Sequence, residues 1–151
     1  DCADVDNDGD LDLFFGDDAG TSYLYKNNGA FSFTQDNDCI NPAADVEGSE
    51  FVDFDGDGDM DLYMNINGAA NQLWVNSQND QNFLKVEARE SVGNGLYRAA
   101  LGANIVLSEC GGTDSLVQEV SGGRGHGSQK PSTVHFGLGS NGDSKAFNVV
   151  V

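Results

Sequence analysis

The chain has 151 residues, with 25 acids against 7 Lys and Arg and a formal net charge of −18. That balance argues strongly against nucleic acid, whose phosphates need a basic footprint, and it disfavours anionic membranes. Hydrophobic residues at 38% and charged residues at 21% are globular proportions, and no run approaches the roughly 20 apolar residues of a membrane span.

The amino terminus, Asp1-Cys2-Ala3-Asp4, is acidic from the first residue and lacks the basic, apolar layout of a signal peptide. Asp4–Asp12 then reads Asp-x-Asp-x-Asp-Gly-Asp-x-Asp. Leu11, Leu13 and Phe15 alternate with Asp10, Asp12 and Phe14, which predicts a strand broken at Gly16-Asp17-Asp18. A second short strand is expected around Tyr23–Lys26, ending at Asn27-Asn28-Gly29, and a third near Phe31–Thr34.

The pattern then returns. An offset of 49 residues sets Asp4, Asp6, Asp8, Gly9, Asp10 and Asp12 on Asp53, Asp55, Asp57, Gly58, Asp59 and Asp61. The same offset, without a gap, sets Leu24, Tyr25 and Asn27 on Leu73, Trp74 and Asn76. Two separated blocks sharing one offset mark a duplicated structural unit. In the second copy the strands fall on Met60–Asn65, broken by Asn67-Gly68, and on Gln72–Val75. A period in the forties with several short strands per unit is that of one β-propeller blade, and propellers need about 4–8. Two blades close no ring, so further blades or partner chains are expected to complete the assembly.

From about Asn82 the character changes. Phe83–Ala88, Ala103–Glu109, Ser115–Ser121, Thr133–Leu138 and Ala146–Val151 read as five more strands between glycine-rich turns, Gly93-Asn94-Gly95 among them. The fold class is therefore all-β. Two blade-like repeats (about residues 1–49 and 50–80) precede a small antiparallel sandwich or barrel (81–151). The polar stretch Ser77–Asn82 is the expected boundary.

The acidic loops point to calcium. This hard ion takes 6–8 oxygens at about 2.3–2.6 Å, and carboxylates at alternate positions can wrap around it. Asp4, Asp6, Asp8, Asp10 and Asp12 are assigned to one ion, and Asp53, Asp55, Asp57, Asp59 and Asp61 to another. Positions 1, 3 and 5 would give side-chain oxygens, position 7 its backbone carbonyl, and position 9 a carboxylate directly or through water. Gly9 and Gly58 stand at position 6, where the sharp turn needs a positive φ. Carboxylates about 6 Å apart repel by roughly 0.7 kcal/mol in water, a cost that a divalent ion removes. An EF-hand is rejected, because its twelfth position must be a bidentate acid and here it is Phe15 or Met64. Magnesium keeps more water and seldom uses an all-protein cage, so it fits less well.

These loops with their trailing Leu24-Tyr25-Lys26-Asn27 and Leu73-Trp74-Val75-Asn76 resemble FG-GAP or VCBS-type repeats. The second part resembles the ASPIC/UnbV domain of the cartilage acidic protein-like family. That likeness rests on Asn82–Val86, Leu101–Leu107, Gln118–Gly123 and His135–Gly139. The resemblance implies a secreted or surface protein without catalytic activity. The family's usual Trp-Pro-x-Gly continuation is missing after Val151, and the chain begins within a strand, so a piece of a longer protein is expected.

Other motifs carry less. Gly125-His126-Gly127-Ser128 is not a nucleophile turn, since Gln129 and Lys130 follow, and with only His126 and His135 no triad can be placed. A glycine-rich connecting loop is the reading for this stretch, whose Arg124 and Lys130 add local positive charge, and it lacks the strand-then-helix order of a dinucleotide loop. His135 is read as a packing or sheet-surface residue, and Tyr25 and Trp74 as core. Cys2, Cys39 and Cys110 lack zinc spacing. A Cys2–Cys39 bridge is one expectation, with Asn37-Asp38-Cys39 a weak sequon. The function expected is a non-enzymatic, calcium-stabilised extracellular adhesion or assembly module. Its expected partners are other proteins or copies of itself, with glycans a further class. A filament subunit and a carbohydrate-binding module are the alternatives.

Overall fold

The computed structural model describes residues 1–17, 20–36, 45–78, 82–113, 115–123, 129–139 and 145–151. Among these residues every regular element is a strand. β1 (Cys2–Ala3), β2 (Asp12–Phe15), β3 (Tyr23–Asn27) and β4 (Phe33–Asp36) form the first sheet in chain order. β5 (Val46–Val52), β6 (Asp61–Ile66) and β7 (Gln72–Trp74) form the second. β4 starts two residues later than expected, because Gly29, Ala30 and Phe31 all take positive φ and spend those residues on the turn.

The internal repeat survives as strand register. Cys2 faces Leu13 and Phe51 faces Leu62; Leu13 faces Tyr25 and Leu62 faces Trp74; Phe14 faces Leu24 and Tyr63 faces Leu73. Each second pair is the first pair moved by the sequence offset. Burial does not follow the offset. Phe14 and Leu24 are buried, whereas their counterparts Tyr63 and Leu73 are exposed. Conversely Met64 is buried, while its counterpart Phe15 is 53% exposed. In the first copy Phe14 is thus the inward residue of β2, and Leu11 and Phe15 of the alternating set are 39% and 53% exposed. The two units are stacked head to tail, so each offers a different face to the other. One core results, joining Ala3, Val5, Phe14 and Leu24 to Phe51, Leu62, Met64 and Ile66. Phe14 meets Phe51 edge-on at 6.5 Å, and each such side chain buried contributes about 1.5–3 kcal/mol. Tyr25 and Trp74 sit outside this core, Trp74 at 36% exposure, which corrects the core reading.

The second part contains the five expected strands, β8 (Phe83–Glu87), β11 (Asn104–Glu109), β12 (Ser115–Glu119), β13 (Thr133–Gly137) and β14 (Phe147–Val150). It also contains an unexpected hairpin, β9 (Arg89–Gly93) and β10 (Leu96–Ala99), turned at Asn94-Gly95 where both φ are positive. β8 pairs with β13, and β11 lies between β12 and β14. These sheets enclose a separate core of Ala88, Ile105, Leu107, Val120, Val134 and Phe136, and among the described residues no closed barrel forms. Cys2 and Cys110 are free thiols. Cys39, the Asn37–Cys39 sequon, Arg124–Ser128 and most of the boundary's end lie outside the described residues.

Candidate metal centres

The two acidic loops fold alike because their first and last carboxylates are spent on backbone N–H groups. Asp4 accepts from Asp8 and Gly9 at 3.1 and 2.9 Å. Asp53 accepts from Gly56 and Gly58 at 2.7 and 2.9 Å. At the far end Asp12 accepts from Val5 and Asn27, both at 2.8 Å, and Asp61 from Phe54 and Asn76 at 2.7 and 2.8 Å. Gly9 and Gly58 have φ of 101° and 102°, the left-handed turn expected at position 6.

Within this frame side-chain oxygens converge. One oxygen each from Asp4, Asp6 and Asp8 lies within 4.8 Å of the others, and so do oxygens of Asp53, Asp55 and Asp61. Two oxygens on opposite sides of an ion at about 2.4 Å would stand about 4.8 Å apart, so the spacing suits calcium. Asp6 Oδ1 is buried and has no hydrogen-bond partner among the described residues. An all-oxygen donor set with an orphaned, buried carboxylate oxygen fits a hard divalent cation. Of the ten aspartates assigned by sequence, Asp10, Asp12, Asp57 and Asp59 do not bring side-chain oxygens into these clusters. Asp12 accepts the same two backbone N–H bonds as its counterpart Asp61, yet of the two only Asp61 joins a cluster. Asp57 Oδ1 accepts from the Asp59 N–H at 2.9 Å. Asp10 and Asp59 are at position 7, where the backbone carbonyl was the expected donor.

Electrostatics separate the two loops. Burial pushes Asp4 up to about 7, helped by the carboxylates of Asp8, Asp12 and Asp6 and opposed by the Gly9 N–H. Burial also raises Asp12 to about 6, and it raises Asp8 and Asp61. Asp53 departs from this pattern: burial favours its neutral form, yet the ion pair with Lys85 and the loop N–H groups hold it below the usual carboxylate range. Lys26 approaches Asp6 at 3.5 Å and Asp36 at 3.7 Å.

Several residues that complete the site were not singled out for it by sequence reasoning. Lys85 and Phe83 come from β8. A Cβ on Gly58 would overlap the Phe83 ring, and one on Gly137 would overlap Asp4 and come within 2.7 Å of the Asn7 backbone. Both loops are thus covered by the second part at glycine-thin contacts. Of the two readings of His135, packing holds and sheet surface does not. It is 9% exposed, stacks on Phe83 at 5.6 Å, and its Nε2 lies 2.8 Å from Asn7 Oδ1. Burial, then Lys85, lowers its pKa to about 4, so the ring is neutral. Asn27 and Asn76, visible in sequence only as repeat markers, clip the last aspartate of each loop to the end of the second strand after it. The offset itself was the signal for that role.

Fold and loops together define a class, an all-β repeat protein built around acidic, oxygen-lined turns. Within it, residues 4–64 match the FG-GAP-like repeat and residues 93–150 match the ASPIC and UnbV domain. The chain is an FG-GAP-like repeat followed by an ASPIC/UnbV domain, in the order that the resemblance implied. No curated protein and no solved structure matches it. Among the described residues no helix is long and apolar enough to cross a membrane.

Proposed function

We propose that the chain is a non-enzymatic extracellular or cell-surface module for adhesion or assembly, held in shape by two calcium ions. The observation that carries this reading is the pair of converging carboxylate sets, Asp4, Asp6 and Asp8 and Asp53, Asp55 and Asp61, each locked by backbone N–H groups. Calcium, when bound, would supply the positive charge that lets these carboxylates lie together. In the assigned set the position 7 carbonyls of Asp10 and Asp59 would add to these carboxylates, with Asp12 and Asp57 joining directly or through water. The chain's own residues do the rest: Asp12 and Asp61 fix the loop ends, and Gly9 and Gly58 make the turns.

If each site has a dissociation constant about a hundredfold below free calcium, occupancy adds about 2.7 kcal/mol per site. Typical total stability is about 5–15 kcal/mol. Thermal unfolding in millimolar calcium should therefore occur several degrees above that in excess EGTA. An unchanged melting temperature would remove the basis of the proposal.

A further inference from the structure

The two loops differ at position 4. It is Gly56 in the second loop, exposed and with φ 86°, and Asn7 in the first, with φ 55° and 2% exposure. Asparagine tolerates the left-handed region better than most residues, so the turn alone does not need a glycine here. The Asn7 side chain reaches out of its own loop. Its Nδ2 donates to Asp59 Oδ1 at 3.1 Å and lies 3.5 Å from the Gly58 carbonyl, positions 7 and 6 of the second loop. Its Oδ1 meets His135 Nε2 at 2.8 Å, and its backbone carbonyl accepts from Gly139 at 2.8 Å. A carboxamide oxygen can only accept, so His135 carries its proton on Nε2. Asn7 stands between Asp6 and Asp8, two of the three converging carboxylates of the first loop, and touches the turn that shapes the second.

We infer that Asn7 is a positioning residue that couples the two loops, so that calcium loads them cooperatively. This rests on the calcium reading and extends it. Drawing Asp4, Asp6 and Asp8 together fixes the Asn7 backbone between them. A fixed Asn7 holds the Gly58 carbonyl and the Asp59 side chain in the arrangement that the second loop must adopt. The ordering cost of the second loop is then partly met when the first is filled, and by linkage the reverse holds equally. Couplings of this kind are typically about 5–150-fold in affinity, which for two sites corresponds to a Hill coefficient of about 1.4–1.8.

The test is calcium titration by calorimetry on the full chain, beside Asn7→Gly and Asn7→Asp. Glycine copies position 4 of the second loop, suits a positive φ and leaves every loop carboxylate in place. Wild type should bind two ions with a coefficient clearly above 1. Asn7→Gly should still bind two, with the coefficient falling to about 1. Asn7→Asp sets a carboxylate against Asp59 and should bring it lower still. If Asn7→Gly does not fold, Asp59→Ala removes the acceptor while keeping the position 7 carbonyl, and should show the same loss. Independent binding in wild type, or unchanged cooperativity in the folded variants, overturns the coupling alone. A chain that binds no calcium overturns the calcium reading and the coupling with it.

Discussion

Gly9 and Gly58 have the same backbone and different neighbours. At Gly9 an added Cβ would meet only ordinary contacts, the nearest being the Gly137 carbonyl at 3.7 Å, so Gly9→Ala should cost the left-handed φ alone, about 1–2 kcal/mol. At Gly58 the same methyl drives into the Phe83 ring, which is itself stacked on His135. Overpacking of that kind costs about 1–3 kcal/mol more. Denaturant unfolding of the two variants in calcium should show the larger loss for Gly58→Ala, and equal losses would mean that Phe83 does not bear on the loop. The φ requirement was legible in the sequence, because the Asp-Gly-Asp spacing demands it. The neighbour was not, because Phe83 comes from a strand with no counterpart in the loop pattern.

Each loop is an insertion between strands, and Asn27 at the end of β3 and Asn76 just past β7 fasten its last aspartate to the second strand after it. Their side chains differ in reach: Asn27 Nδ2 finds the Leu11 carbonyl at 3.4 Å, while Asn76 Nδ2 crosses to the Val5 carbonyl of the other repeat at 2.7 Å. Asn76→Ala should therefore destabilise by about 1–3 kcal/mol, the cost of orphaning a buried acceptor. Asn27→Ala should cost less, and thermal melts of the pair check the order. Five of seven strands in the second part were readable from alternation, and so were β2, β3, β4, β6 and β7 in the repeats; β5, the longest, was not, because Glu47, Gly48, Ser49 and Glu50 interrupt its apolar residues. The β9–β10 hairpin was not, since nearly all its side chains are exposed and no apolar row marks it. Only its Asn94-Gly95 turn was visible. Which face of β2 points inward was also unreadable. Leu13, Phe14 and Phe15 are all apolar, and the choice among them is made by the neighbouring sheet.

At the scale of the molecule, that choice leaves two apolar faces open. The first sheet exposes Phe15, packed edge-on against Tyr25 at 5.9 Å, and the second exposes Tyr63 and Leu73. The open face of the first sheet is the repeat counterpart of the face that the second sheet buries, and the reverse also holds. Under the assembly reading the interface inside the chain would form again between chains, head to tail, as a heterologous contact that does not close by twofold symmetry. Under the assembly reading, sedimentation velocity over a range of concentrations should show reversible association, which Phe15→Glu suppresses. A monomer at every concentration would end that reading.

The preserved register has a consequence for engineering. Because the β1–β2 and β2–β3 pairs map onto the β5–β6 and β6–β7 pairs by one constant step, an in-frame duplication of the unit would concatenate without changing those strand partners. Each inserted copy would meet its neighbours through a surface the chain already uses, and stability would grow by one nearest-neighbour increment at a time.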